Sequence, residues 1–251
     1  MIKFEASDEW YKKIAELETD EATLPVGKGF SNRELKVDIV LLSIIDDEPA
    51  VLLLKRPYEP YKGFWALPGG YIPPILTADE AAYFQLHKKT GLKDVYLEQL
   101  ALFSNPKRDP NGSIASMAYL SLVNFKIAQG VKTKDSLGVQ WTKISDLPDL
   151  AFDHLQIIEK AKERMINKIR YTKVGFELAG KKFTLKKLIK TFEAITGKKL
   201  DQSNVRKKMT KLNLLKETGE IQKEGRGRPS PVFTLNEEEY EKLSPTECFF
   251  N

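Results

Sequence analysis

Cysteine occurs once in the 251 residues, as Cys248. A lone thiol excludes an internal disulfide framework and any cysteine-based zinc site. Histidine is almost as scarce: His87 and His154 are the only two, too few for a histidine metal cluster. No apolar run approaches the roughly 20 residues that cross a bilayer as a helix. The opening stretch, MIKFEASDEWYKKIAELETDEA, is acidic and amphipathic and lacks the apolar core of a signal peptide. A cytoplasmic protein with no membrane segment, no metal and no cofactor is the expectation.

What is present supports a folded chain. Hydrophobic residues make up 41% and charged residues 30%, enough to bury one large or two modest cores. The net charge of +5 is unevenly spread. Residues 161–251 carry 21 Lys+Arg against 12 Asp+Glu, which leaves 19 against 23 for residues 1–160. A mildly acidic body followed by a basic half implies two domains with different partners, the basic one suited to a polyanion.

Along the chain, Ser7 is placed to cap a helix reaching Leu17. The run LKVDIVLLSII at 35–45 predicts a buried strand, and AVLLLK at 50–55 its antiparallel partner across a turn at Asp46-Asp47-Glu48-Pro49. A loop rich in proline, glycine and aromatics leads to a helix over 78–90, and strands are predicted at 95–103, 114–125 and 140–144. This is the pattern of a mixed α/β (α+β) layered domain over 1–152. From 153 the period becomes helical. Asp153 is placed to cap a linker helix with Leu155, Ile158, Ala161, Met165 and Ile169 on or near one stripe. VGFEL reads as extended, Thr184 opens a helix that Gly197 ends, and Asp201 opens another with Val205, Met209 and Leu212 inward. A turn at Thr218-Gly219, the basic run IQKEGRGRPS and a strand PVFTL complete a winged helix-turn-helix layout over 153–251.

Residues 70–92 have the spacing of the Nudix box, G-x5-E-x7-R-E-U-x-E-E-x-G-U: Gly70, Leu86, Gly91 and Leu92 stand in place. The preceding WALPGG also resembles the run that leads into the box. In Nudix enzymes the box glutamates share a helix face and hold Mg²⁺ against a pyrophosphate. Here Leu76 stands at the first glutamate position, Phe84 at the arginine, Gln85 at the next glutamate and Lys88-Lys89 at the final pair. Hard divalent cations need carboxylate oxygens, and two ammonium groups repel them. Asp79 and Glu80 do not restore the set, because Thr77-Ala78-Asp79-Glu80 fits a capping box. No catalytic residue and no metal site are assigned, and loss of the hydrolase activity is the expectation.

The resemblance extends further. KRPYEPYKGFWALPGG, NPKRDPNGSIASMAYL, LAFDHLQII and the run from FTLKKLIKTFEAITGKKL to GRGRPSPVF resemble the Nudix-related transcriptional regulators (NrtR). That resemblance implies a Nudix α/β/α sandwich followed by a winged helix. It also implies a homodimeric repressor of NAD-metabolism genes that binds double-stranded operator DNA, with ADP-ribose as typical effector. Some relatives respond to a sugar such as arabinose, so a sugar-responsive regulator of catabolic genes stays open, as does an active ADP-ribose pyrophosphatase-like hydrolase.

On the effector side the comparison points to Arg56, Phe64, Trp65, Gly69, Gly70 and Arg108. Aromatics suit stacking on adenine, arginines suit phosphates, and glycines admit backbone N–H groups. Phe64 and Trp65 have a plainer alternative in covering the sheet, and Gly69-Gly70 in making a turn. Lys88 and Lys89 either meet a diphosphate directly or face solvent on an ordinary helix. On the DNA side, the helix opened by Asp201 leaves Ser203, Asn204, Arg206, Lys207, Thr210 and Lys211 outward. Asn reads adenine, Arg reads guanine and lysine meets phosphate. Arg226 and Arg228 suit a wing that enters a minor groove or grips phosphate.

Overall fold

The computed structural model describes residues 34–93, 95–124, 138–169, 172–223 and 229–243, together with Lys12 and Gln129. The helix expected at 7–17, apart from Lys12, and Cys248 lie outside them. The chain divides into two compact units. One comprises Met1–Leu42, Val51–Ser121 and Gln129–Ala161, the other Ser43–Ala50, Leu122–Ala128 and Lys162–Asn251.

The first unit is organised on a seven-stranded sheet. Strands β1 (Glu34–Ile45) and β2 (Glu48–Lys55) are the two predicted apolar runs, and their middles are buried residue after residue. Burial of consecutive residues means that both faces of the sheet are covered. The turn between them is tight: Asp46 and Asp47 both take positive φ, 50° and 63°. Aspartate tolerates that region better than most residues, and a turn of this kind matches the twist of a hairpin. Next come β3 (Trp65–Ala66), β4 (Gly69–Tyr71), β5 (Glu98–Phe103), β6 (Ile114–Leu122) and β7 (Val139–Lys143). The sheet order is β3-β2-β1-β6-β5, with β4 on β1 and β7 on β2. The strand predicted from Val95 starts at Glu98.

Helix α1 (Ala78–Thr90) has the predicted bounds. Thr77 Oγ1 accepts from the Glu80 N–H at 3.2 Å, and the Thr77 N–H donates to Glu80 Oε2 at 2.8 Å, which completes the capping box. Gly91, at φ 70°, ends the helix in the left-handed region. Ala81 to Leu86 are all buried, so the helix is enclosed rather than laid on a surface. Asp79, which the box reading left without chemistry, ties α1 to the sheet. It accepts from the Tyr119 hydroxyl at 2.5 Å and from Gln99 Nε2 at 2.8 Å. Burial, and then this carboxylate, push the Tyr119 hydroxyl well above its ordinary pKa.

Helix α2 (His154–Ile169) carries the expected apolar stripe with one change. Ile157, Ile158, Ala161, Met165 and Ile169 are buried, whereas Leu155 is 48% exposed. The stripe therefore widens toward Ile157, which neighbours Ala161 on the helix surface, and Leu155 falls outside it.

The second unit contains the helix-turn-helix. VGFEL, expected to be extended, is the core of a third helix, α3 (Val174–Ala179). The physical reason is tertiary. Val174, Phe176, Leu178 and Ala179 are buried, and a Cβ added at Gly175 would lie 2.5 Å from Phe192 Cζ. Glycine thus lets an aromatic ring lie against the helix backbone, and that packing overrides weak helix propensity. Thr184 closes the two-residue strand β8 (Phe183–Thr184) and caps α4 (Leu185–Thr196), accepting from the Lys187 N–H at 3.1 Å. Gly197, at φ 67°, ends α4. Asp201 caps α5 (Gln202–Lys211), accepting from the Asn204 N–H at 2.7 Å. The predicted turn at Thr218-Gly219 is absent: both residues lie within β9 (Leu215–Gln222). Gly219 there has φ 77°, and the pairing of β9 with β10 (Ser230–Leu235) is irregular between Pro231 and Phe233, so the turn signal marks an irregular strand. The sheet order is β8-β10-β9, and the short helix α6 (Glu237–Glu241) follows. Leu214, fully buried, fills the place expected of Leu212, which is half-buried at the end of α5.

Candidate functional site

Two sites come from the sequence reading, one in each unit. In the first unit, β4 lies antiparallel on β1 with Val37 opposite Gly70 and Asp38 opposite Gly69. This fit requires glycine. A Cβ at Gly69 would meet the Val37 carbonyl oxygen at 2.3 Å, and one at Gly70 would meet Gln85 Nε2 at 2.6 Å. Gln85 is buried and donates its amide to the Tyr71 carbonyl at 3.1 Å. The side chain at a box glutamate position therefore holds strand to helix.

Behind β4 lies a buried polar network that sequence reasoning missed in most of its members. Arg108 donates to Asp153 through Nε at 2.9 Å and Nη2 at 2.6 Å, and through Nη2 to Asp38 at 3.1 Å. Its side chain is 2% exposed. His154 Nδ1 accepts from the Leu67 N–H at 2.9 Å, which leaves the ring proton on Nε2, 3.5 Å from Asp38 Oδ1. With both nitrogens engaged, His154 is a structural residue. Burial pushes the Asp38 carboxyl up, but His154 and Arg108 outweigh it and hold the group well below the usual carboxylate range. The sequence signal was an aspartate inside the apolar run VDIVLL, a position that has to be paired.

Arg108 is thus committed to two aspartates within the protein. Arg56 is placed differently: its guanidinium lies 4.7 Å from the centre of the Phe152 ring, and its Nε donates to the Pro60 carbonyl at 2.9 Å. Tyr61 meets Phe152 edge to face at 4.9 Å and Phe64 at 5.7 Å. Phe64 is exposed, whereas Trp65 is half-buried, in β3 beside β2. Lys36, unassigned by sequence, pairs with buried Asp109 at 2.9 Å and lies over the rings of Tyr71 at 4.5 Å and Phe152 at 5.6 Å. Lys88 lies along its own helix over Phe84 at 5.5 Å, and Lys89 is half-buried. The structure joins Arg56 and Phe64 to Lys36, Tyr61 and Phe152, and it puts Gly69 and Gly70 against β1 and α1. Among the described residues no group of three or more His, Cys, Asp or Glu side chains is placed to hold a metal ion. No helix among them is long and apolar enough to cross a membrane.

In the second unit, Val205 and Met209 of α5 are buried. Ser203, Asn204, Arg206, Lys207, Thr210 and Lys211 are all exposed along the other side. Thr210 and Arg206 also line a groove between α5 and the strands, together with Lys186, Gln202 and Ser230. A helix pinned by two apolar residues and presenting donors and cations outward is what the major groove admits. Arg226 and Arg228 lie outside the described residues.

Residues 34–161 match the NUDIX domain family, and residues 175–235 the NrtR DNA-binding winged helix domain. The chain is 33% identical over 213 residues to a protein of Acinetobacter baylyi named as an ADPR responsive transcriptional repressor, NtrR. That alignment covers 82% of this chain and 84% of the relative. The fold is similar to the crystal structure of Shewanella oneidensis NrtR complexed with a 27mer DNA: TM-score 0.70, 31% identity, 82% of this chain and 95% of the other. It is also similar to the NUDIX domain of Shewanella oneidensis NrtR complexed with ADP ribose: TM-score 0.50, 34% identity, 60% and 97%.

Proposed function

Because the chain belongs to the NrtR family of Nudix-related regulators, we propose that it is a transcriptional repressor. Its winged helix binds double-stranded operator DNA, and its Nudix-like domain senses ADP-ribose or a closely related NAD metabolite. The observation that carries this reading is the outward face of α5, where six polar or basic residues stand free of the core that Val205 and Met209 enter. It sits in a chain whose other domain is similar to one complexed with ADP ribose.

The Nudix-like domain holds its ligand without cleaving it. Gln85 ties α1 to β4, Asp79 binds Tyr119 and Gln99, and Glu80 closes the capping box, so the polar groups of the box helix serve the fold. The protein works in the cytoplasm as a homodimer, whose two recognition helices meet two operator half-sites. ADP-ribose shifts the relative placement of those helices through α2, and linkage requires DNA to change ADP-ribose affinity by the same factor and in the same direction as ADP-ribose changes DNA affinity.

Gel-shift titration of the full chain on its own upstream region, with and without ADP-ribose, tests the reading. A footprinted complex that ADP-ribose alters at micromolar concentration supports it. A complex that responds only to a pentose would move the protein to the sugar-responsive alternative, and AMP release from ADP-ribose with Mg²⁺ would return it to the hydrolases.

A further inference from the structure

Two aromatic residues of the first unit hold backbones that their side chains disfavour. Phe152 has φ 57° and Tyr61 φ 64°, the left-handed region in which glycine or asparagine is the ordinary occupant. Strain of this kind persists where the surrounding structure over-determines it, and it gathers at ligand sites. Their rings meet at 4.9 Å, and Phe152 is a hub. The Arg56 guanidinium stands 4.7 Å from its centroid and the Lys36 ammonium 5.6 Å. One cation comes from β1 and the other from the loop after β2, and the same ring gathers both.

Each cation has at least one donor to spare. Lys36 donates to Asp109 at 2.9 Å and also engages the Tyr71 hydroxyl, which leaves one of its three ammonium protons. Arg56 spends its Nε on Pro60, and its two terminal nitrogens have no hydrogen bond to any described residue. Arg108 differs in being clamped by two carboxylates, and Lys88 lies over Phe84.

We propose that Lys36 and Arg56, gathered on the Phe152 ring, grip the diphosphate of the effector and supply the positive charge that a metal supplies in the hydrolases. This rests on the nucleotide-effector reading above. A guanidinium matches one phosphate with a pair of hydrogen bonds, and an ammonium answers the other as a point charge. The aromatic faces keep both cations partly dehydrated, which strengthens their pull on an anion. Tyr71, 46% exposed beneath Lys36, supplies a flat wall for the sugar or base beside the diphosphate. A neutral pentose offers this pair hydroxyl acceptors but no charge, so it forgoes the charge-assisted bonds that a diphosphate makes. Phe152 also directly precedes Asp153 and His154, the start of α2, so an occupant that draws on the two cations acts one residue from the linker helix.

Calorimetric titration of ADP-ribose into the full chain and its K36M, R56M, K36R and K88M variants tests this. Loss of one charge-assisted contact raises Kd about ten- to hundred-fold. That rise is expected for K36M and R56M, with K36R keeping most of the affinity. Thermal melts of each variant show whether it folds, and K36R carries the comparison if K36M does not. The proposal is overturned if the wild-type chain binds ADP-ribose and K36M and R56M match it, or if only K88M loses affinity; the effector reading would survive either result. If the wild-type chain does not bind ADP-ribose, inorganic pyrophosphate is the probe. Binding that K36M and R56M abolish upholds the anion site while the effector reading fails. No pyrophosphate binding overturns both.

Discussion

Replacing Arg108 with methionine isolates the buried network from every other feature of the first unit. The side chain is 2% exposed, and its partners Asp38 and Asp153 are 9% and 10% exposed. Methionine fills most of the volume but leaves two buried carboxylates without their cation. A surface pair lost this way costs under about 1 kcal/mol. A buried pair broken from one side costs roughly 3–5 kcal/mol, because the remaining charge stays desolvated. The burial figures place this site in the second class. At a urea slope of about 2 kcal/mol per molar, the midpoint of the first unit's transition should fall by roughly 2 M. Tryptophan fluorescence is the assay, since Trp65 and Trp141 both belong to that unit. The acid dependence gives an independent reading. Asp38 is held well below the usual carboxylate range, so its contribution is fully present above the unfolded value near 3.9 and is lost as pH falls through the folded one. The gap between wild type and variant should therefore narrow as pH drops below about 4. Asp153→Asn in the R108M background should recover part of the loss by removing an unpaired charge. A fall below about 1 kcal/mol at neutral pH, or a gap that widens on acidification, would refute the argument.

Other perturbations separate the remaining claims. Gly69→Ala should destabilise the first unit by about 2–3 kcal/mol and by more than Gly70→Ala. A Cβ at 69 meets a backbone carbonyl at 2.3 Å, whereas one at 70 meets the end of a side chain. Equal denaturation midpoints for the two variants would contradict that ranking. Gly175→Ala should cost the second unit about 2 kcal/mol by pushing the Phe192 ring off α3, measured by circular dichroism melts. Thr77→Ala should cost about 1 kcal/mol in the same assay, and no change would mean that the capping box contributes nothing. Arg206→Ala should weaken operator binding and lower the slope of log K against log salt by about 1 if it meets phosphate. If it reads a base, affinity for one operator position should change instead.

Local physics made much of the molecule legible in the sequence. Thr77, Gly91, Thr184, Gly197 and Asp201 mark helix ends because a cap depends on a few neighbouring residues, and each of them stands at an end. The apolar runs of β1 and β2 and the outward residues of α5 followed from periodicity for the same reason. Errors fell where distant contacts decide. VGFEL has no local reason to be helical, and Phe192 supplies one across the unit. Thr218-Gly219 has the composition of a turn, yet pairing with β10 keeps it in a strand.

The candidate effector site divides along the same line. The sequence by itself determined that a Nudix frame persists without its acids, since spacing and residue type are all that statement needs. It also determined that a basic helix-turn-helix follows. Only the tertiary structure decided which cations are held between carboxylates and which lie over aromatic rings. Arg56 and Arg108 look alike in sequence, but one stands over Phe152 while the other is buried between Asp38 and Asp153. Lys36 carried no signal at all, because a lysine at the start of a strand is ordinary until β4, Asp109 and Phe152 surround it. Charge is a property of a residue, but whether that charge is spent inside the protein or offered to a ligand depends on neighbours that the chain brings from far away.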